Sequence, residues 1–153
     1  MNILKEGDSA PNFKGLDQNG NNVELSDFSN KKLILYFYPK DDTPGCTKES
    51  CNLRDNFSQL KSKDFEVLGV SADNSAKHLK FIEKYNLPFS LLADTEKTII
   101  INKYNCWGLK KFMGKEYDGI LRKTFVIENN KIIKVFDKVK TAGHYEQIME
   151  ALN

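Results

Sequence analysis

Cys46 is the residue of this sequence best placed for chemistry, because its neighbours predict a helix that begins just before it. Thr43 is a preferred helix N-cap residue, and Pro44 suits the first helical position. Cys46 then falls in the first turn, where unpaired backbone N–H groups and the helix dipole stabilise a thiolate. Such a thiolate can attack an O–O bond and become a sulfenic acid. We expect Thr43 to add a hydroxyl hydrogen bond and Pro39 to limit the access of water.

Arg122 is the best candidate for the cation that an oxygen substrate would need. It lies in the apolar segment 119–127, which predicts a strand, and a charge there is costly unless it is paired or used. The Cys46 thiolate would be such a partner. The alternative is an arginine that only projects from an edge of the sheet.

Cys51 follows Cys46 by five residues on the same predicted helix. Ideal helix geometry separates their Cα atoms by about 8.6 Å, whereas a disulfide usually spans about 4.4 to 6.8 Å. If the two cysteines pair, the first turns of the helix must unwind, and oxidation is predicted to convert helix into loop. The alternative for Cys51 is a small buried apolar residue.

Several segments together resemble a known family. The principal ones are Pro39-x-x-x-Thr43-Pro44-Gly45-Cys46-Thr47, Cys51 and Arg122-x-Thr124-Phe125. Further matches are Gly7-Asp8-x-Ala10-Pro11-x-Phe13, Leu68-Gly69-Val70-Ser71, Trp107-Gly108 and Met113-Gly114-Lys115. The combination is similar to the peroxiredoxins of the bacterioferritin comigratory protein or Q-type branch, and the similarity covers nearly the whole chain.

The resemblance implies a role for each matching residue. Cys46 would be the peroxidatic cysteine, Thr43 and Arg122 would position and polarise the peroxide, Pro39 would shield the pocket, and Cys51 would be the resolving cysteine. The family has a thioredoxin-like fold. The implied activity is reduction of hydrogen peroxide or small organic hydroperoxides, without a bound cofactor or metal. A thioredoxin-type or glutaredoxin-type dithiol protein would be the reductant, and the chain would be a monomer or weak homodimer.

Two other functions remain as alternatives at this point. A thiol–disulfide oxidoreductase of the same fold would act on protein disulfides, but it usually carries Cys-x-x-Cys rather than the five-residue offset seen here. A redox-sensing module would pass its oxidation to a partner through a mixed disulfide. Fast turnover with a dithiol donor favours the enzyme, and a stable partner adduct favours the sensor.

The remaining chemical residues are predicted to stand outside this site. Cys106 is predicted to be a bystander thiol rather than a second resolving cysteine. Arg54 either supports Arg122, binds a carboxylate or is exposed on its helix. His78 and His144 are not in metal-ligand spacing with each other or with the cysteines, so no metal is expected.

The elements that would position these residues alternate along the chain. The pattern predicts an α/β domain over 1–153, with a mixed central sheet, helices on both faces and an N-terminal hairpin. The predicted strands are 13–16, 23–25, 33–38, 65–70, 90–93, 120–127 and 131–137. The predicted helices begin at Thr43, cover 75–85 and 95–104, and close the chain, with Leu79 and Ile82 inward on the second; 107–117 is predicted to be a loop.

Composition limits the possible partners and locations. The chain has 153 residues, of which 40% are hydrophobic, and its 23 basic and 21 acidic residues leave a net charge of +2. So mild a charge gives no reason to expect a nucleic-acid partner. The longest apolar run, 33–38, is far too short for a membrane span, and the N-terminus lacks the pattern of a secretory signal, so we expect a cytosolic protein.

Overall fold

The computed structural model describes residues 3–153, which form nine strands and four α-helices. The strands are β1 (Lys14–Leu16), β2 (Asn22–Glu24), β3 (Lys32–Phe37), β4 (Phe65–Ser71), β5 (Ser90–Ala93), β6 (Trp107–Phe112), β7 (Lys115–Ile120), β8 (Lys123–Glu128) and β9 (Lys131–Phe136). The helices are α1 (Pro44–Asp55), α2 (Phe57–Ser62), α3 (Ser75–Tyr85) and α4 (His144–Leu152). A π-helix covers Thr98–Lys103, and short 3₁₀ turns cover Leu25–Phe28 and Thr141–Gly143.

Seven strands form one mixed sheet in the order β2-β1-β5-β4-β3-β8-β9. The strands β3, β4 and β5 are parallel neighbours, whereas β8 and β9 continue the sheet in antiparallel pairing. The hairpin of β1 and β2 adds to the other edge, with Gly20 at positive φ in its turn. The predicted mixed sheet and N-terminal hairpin are confirmed.

The apolar run of β3 is continuous because both faces of this central strand are covered. Leu33, Leu35 and Phe37 face one buried cluster, and Ile34 and Tyr36 face another. Alternate side chains of a strand point to opposite faces, so one strand serves two cores.

Helical segments cover both faces of the sheet, as predicted, but the two faces differ in which segments cover them. All four α-helices contribute to the cluster around Ile34, whereas the π-helix and the turn Leu25–Phe28 contribute to the opposite cluster. The crossovers from β3 to β4 and from β4 to β5 move in the same direction along the sheet. Right-handed crossovers of that kind place their helices on the same face.

The predicted loop 107–117 is wrong, because β6 and β7 form a separate two-stranded antiparallel sheet there. Met113 and Gly114, the two residues between the strands, both have positive φ, as a tight hairpin turn requires. The predicted strand 120–127 is also interrupted: β7 ends at Ile120 and β8 begins at Lys123. Arg122 therefore lies in the connection between two sheets rather than within a strand.

Three helix predictions need correction. The helix that begins after Thr43 ends at Asp55, and Asn56 separates it from α2. The predicted helix 95–104 is a π-helix over Thr98–Lys103. Leu79 is 38% exposed rather than inward, since His78 and Phe81 occupy the buried positions of α3.

Candidate active site

Cys46 lies in the first turn of α1, at the end of the connection that follows β3. Thr43 is the extended N-cap residue, Pro44 is the first helical residue, and the backbone N–H of Thr47 donates to the Thr43 carbonyl at 2.8 Å. Cys46 is only 1% exposed. The predicted helix start is confirmed, and it places the thiol where backbone N–H groups have no helical partner.

Arg122 contacts Cys46 directly. Its Nη2 donates to the Cys46 Sγ at 3.3 Å, and its Nη1 donates to Oε1 of Glu49 at 2.8 Å. Burial lowers the pKa of Arg122, but its interactions with Cys46 and the Glu49 carboxyl group outweigh burial and leave the pKa above its ordinary value. Arg122 is therefore paired with Cys46 and Glu49 and does not simply project from an edge of the sheet.

Gly45 allows the guanidinium of Arg122 to come this close to the helix. A Cβ atom at Gly45 would lie 3.2 Å from the Arg122 Nη2 and 3.9 Å from Cγ2 of Thr141. The first of these contacts is tighter than ordinary van der Waals packing, so a larger residue would displace the guanidinium.

Thr43 and Pro39 lie in the connection that leads from β3 to Cys46. The Thr43 hydroxyl donates to the Lys40 carbonyl at 2.8 Å and makes no capping hydrogen bond to α1. Its oxygen keeps lone pairs that can accept a further hydrogen bond. Pro39 is half-buried and directly follows Phe37 and Tyr38, which are both buried.

A buried hydrogen-bond network anchors this connection to α3 and β5. Oδ2 of Asp41 lies 2.6 Å from Nδ1 of His78, whose Nε2 lies 2.8 Å from the Leu92 carbonyl. Both ring nitrogens of His78 therefore contact oxygen atoms, and the ring links Asp41 to β5. Tyr38 donates to Oδ1 of Asp41 at 2.6 Å, and the Asp41 N–H donates to Oδ2 of Asp73 at 2.8 Å.

The same network contains ligand-type atoms of Asp41, Asp73 and His78 within 4.8 Å of one another. These atoms already serve one another and the backbone as hydrogen-bond partners. The arrangement is therefore that of a structural anchor for the connection before Cys46.

We expect His78→Leu to lower the free energy of unfolding by about 3 kcal/mol, because it leaves Oδ2 of the buried Asp41 carboxylate without its partner. Urea denaturation would measure the change. Lys84→Met is the control, since it breaks an exposed ion pair between Lys84 and Asp42 and should leave the midpoint nearly unchanged. Equal midpoints for the two variants would contradict the anchoring role.

Cys51 is half-buried in α1, and all three cysteines are free thiols. Burial raises the pKa of Cys51 above its ordinary value, an effect that Arg54 only partly opposes. The structure thus shows the helical, reduced arrangement, in which α1 holds Cys46 and Cys51 apart.

Cys106 and Arg54 lie outside the site. Cys106 is fully buried in the cluster on the opposite face of the sheet, and burial raises the pKa of its thiol. Arg54 donates to the Asp55 carboxylate at 2.9 Å and to the Tyr85 carbonyl at 2.7 Å. Of the alternatives for Arg54, the structure shows a carboxylate partner and no support of Arg122.

Glu49 and His144 are the site residues that sequence reasoning missed. Glu49 lies three positions after Cys46, a spacing that places both on the same side of a helix and could have revealed it. His144 begins α4, and its Nε2 lies 3.6 Å from Oε2 of Glu49. Nothing in the sequence near His144 points to that contact.

The chain matches known proteins over its full length. The model of the AhpC/TSA family matches residues 6–136. The peroxiredoxin Bcp of Escherichia coli K12 is 46% identical over 99% of this chain and 97% of that protein. The chain belongs to the AhpC/TSA family of peroxiredoxins. The peroxiredoxin Bcp of Bacillus subtilis is 44% identical over 97% of this chain and 95% of that protein.

Solved peroxiredoxin structures have the same fold. A mutant PrxQ of Xylella fastidiosa superimposes with a TM-score of 0.88 at 30% identity, covering 99% of this chain and 96% of that one. BcpB of Mycobacterium tuberculosis gives 0.84 at 30% identity, covering 97% and 96%. The predicted thioredoxin-like fold is confirmed. The peroxiredoxin is a thiol-dependent peroxidase, which confirms the predicted activity over the oxidoreductase alternative.

No helix within residues 3–153 of this peroxiredoxin has the length and apolar character needed to cross a membrane.

Proposed function

We propose that Cys46 is the peroxidatic cysteine of this thiol peroxidase. The observation that supports the assignment is the 3.3 Å contact between the Arg122 Nη2 and the Cys46 Sγ at the start of α1. The thiolate donates an electron pair to one peroxide oxygen, and an S–O bond forms as the O–O bond breaks. The other oxygen leaves as hydroxide or alkoxide and takes a proton, while Cys46 becomes a sulfenic acid.

The neighbouring donors stabilise the charge that moves from sulfur to the leaving oxygen. Arg122 supplies a fixed positive charge, and the unpaired N–H groups of the first turn of α1 supply dipoles aimed at the same place. The Thr43 hydroxyl accepts a hydrogen bond from the hydroperoxide and thereby orients it. Pro39 covers the side of the pocket next to β3 and restricts water.

Cys51 completes the first half of the cycle as the resolving cysteine. Its thiol attacks the sulfur of the Cys46 sulfenic acid, a disulfide forms, and the hydroxyl leaves as water. Because α1 holds the two residues five positions apart on one helix, its first turns must unwind before the sulfurs meet.

A dithiol protein of the thioredoxin or glutaredoxin type then restores the enzyme. One donor thiolate attacks the disulfide, and the second donor thiol releases both cysteines while the donor becomes oxidised. The substrates are hydrogen peroxide and small organic hydroperoxides, and the protein works as a monomer or weak homodimer. We place the protein in the reducing cytosol, where cysteines that are not in turnover stay as thiols.

The test is a thiol count with intact mass, made on reduced protein before and seconds after one equivalent of hydrogen peroxide. The wild type should lose two thiols and two hydrogens. Cys46→Ser should lose none, and Cys51→Ser should yield a sulfenic acid that dimedone traps on Cys46. Cys106→Ser is the matched control and should behave as the wild type. No rapid loss in the wild type, or a disulfide that includes Cys106, would overturn the assignment.

A further inference from the structure

One buried oxygen next to the site has no partner. Glu49 is completely buried, and its Oε1 accepts the hydrogen bond from Arg122, but its Oε2 meets no hydrogen-bond donor among residues 3–153. The nearest ring nitrogen is Nε2 of His144, at 3.6 Å. An ionised carboxylate oxygen left without a partner in a protein interior is costly, so this environment disfavours the charged form of Glu49.

The hydrogen bonds around His144 define where its own proton sits. Gln147 is oriented by the backbone, since its Oε1 accepts from the Lys140 N–H at 3.0 Å and its Nε2 donates to the Lys138 carbonyl at 2.9 Å. The same Oε1 lies 2.9 Å from Nδ1 of His144, so Nδ1 carries a hydrogen. Burial lowers the pKa of His144 to about 4, which leaves Nε2 as an acceptor at neutral pH.

Two acceptors therefore face each other unless Glu49 carries a proton. Oε2 of an ionised Glu49 and the lone pair of the His144 Nε2 would repel across 3.6 Å, whereas a protonated Glu49 carries no charge for that lone pair to repel. The donor to this lone pair is the Thr124 hydroxyl, 2.8 Å from Nε2, so Oε2 of Glu49 finds no donor on His144. Burial also raises the pKa of Glu49 to about 7, against the opposing effect of Arg122.

We propose that the buried Glu49 holds a proton where it faces His144, and that this proton leaves the positive charge of Arg122 available to the Cys46 thiolate and the peroxide. With the proton present, Arg122 balances one buried anion, the thiolate. Without it, Arg122 is shared between two anions, and the thiolate is less stabilised. His144 is thus a positioning residue that acts on the reaction through Glu49. The proposal rests on the role of Cys46 proposed above.

The other ionisable groups around Glu49 do not replace this proton. Tyr36 of β3 also faces Glu49, but burial raises its pKa well above the ordinary value, so it stays neutral. Lys110 of β6 faces Arg122 and Cys46, and burial lowers its pKa, although it hydrogen-bonds the Ile120 carbonyl at 2.8 Å. Arg122 itself stays charged. The group that changes charge near neutral pH is Glu49.

The kinetic test is Glu49→Gln, which keeps an acceptor for Arg122 and an uncharged group facing His144 but has no proton to lose. Stopped-flow fluorescence of Trp107 would give the rate constant for peroxide oxidation across the neutral range. We expect the ratio of the variant to the wild-type rate constant to rise about tenfold from about pH 6 to about pH 9. Glu150→Gln, an exposed control on α4, should give a constant ratio. A constant ratio for Glu49→Gln would overturn the proposal.

An infrared measurement reads the proton directly and without peroxide. Below about pH 7, the reduced wild type should show the C=O stretch of a buried protonated carboxyl that Glu49→Gln lacks and that disappears at higher pH. Absence of that band would overturn the proposal. Because the band is recorded without turnover, its loss is distinguishable from failure of the Cys46 assignment, which the thiol count decides.

Discussion

Arg122→Met is expected to lower the second-order rate constant for peroxide by about two to three orders of magnitude, a typical cost of removing a charged donor aimed at a developing charge. The guanidinium touches the sulfur through Nη2 and is held in place by Glu49 through Nη1. Methionine keeps much of the side-chain volume but supplies neither charge nor donor. Stopped-flow fluorescence at limiting enzyme would measure the change.

The chain offers a matched control for this variant, because Arg54 is its only other arginine. Arg54 lies on the same helix as Cys46 but donates to Asp55 and to the Tyr85 carbonyl. Arg54→Met should therefore leave the rate constant within about threefold of the wild type. Arg122→Lys should recover only part of the loss, since a lysine cannot donate to Cys46 and Glu49 with a fixed fork. Equal rates for the two methionine variants would refute the role of Arg122.

Phe125→Ala is expected to lower the free energy of unfolding by about 3 to 5 kcal/mol, because it removes a buried ring and leaves a cavity. Phe125 lies in β8 and is 1% exposed. Its ring packs edge-on against Phe37 at 5.8 Å and Tyr104 at 5.2 Å between centroids. These three rings lie in the core on the face opposite α1, so the loss should appear in stability.

Phe112→Ala provides the same chemical change at an exposed position. Phe112 is 64% exposed on the hairpin of β6 and β7, so its removal should change the free energy of unfolding by less than about 0.5 kcal/mol. Urea denaturation of both variants with a common slope would give the comparison. A Phe125 variant as stable as the Phe112 variant would mean that the core closes around the lost ring.

The sequence predicts the central fold because burial leaves a strong pattern there. The continuous apolar run of β3 predicts a strand covered on both faces, and both clusters are present. The hairpin 107–120 was not predicted because most of its side chains are exposed to solvent rather than packed in the core. Leu109, Phe112 and Tyr117 are exposed, so no alternation of apolar and polar residues marks its strands.

The site was predictable only in part for a similar reason. Cys46 and Arg122 could be found because a thiol at a helix start and a charge in an apolar segment are both unusual. Glu49 shares a helix face with Cys46, and a spacing rule would have found it. His144 reaches Glu49 only through the docking of α4 against α1, which no local pattern predicts.

Because α1 is continuous from Pro44 to Asp55, the stability of this helix affects the reduction potential of the proposed disulfide. In the dithiol form the helix is intact, whereas a disulfide between Cys46 and Cys51 requires its first turns to be lost. The folding free energy of those turns therefore favours the dithiol, and each 1.4 kcal/mol raises the potential by about 30 mV. Substitutions that strengthen the start of α1 should make the pair more oxidising and easier for a donor to reduce, and glycine substitutions on its exposed side should do the reverse.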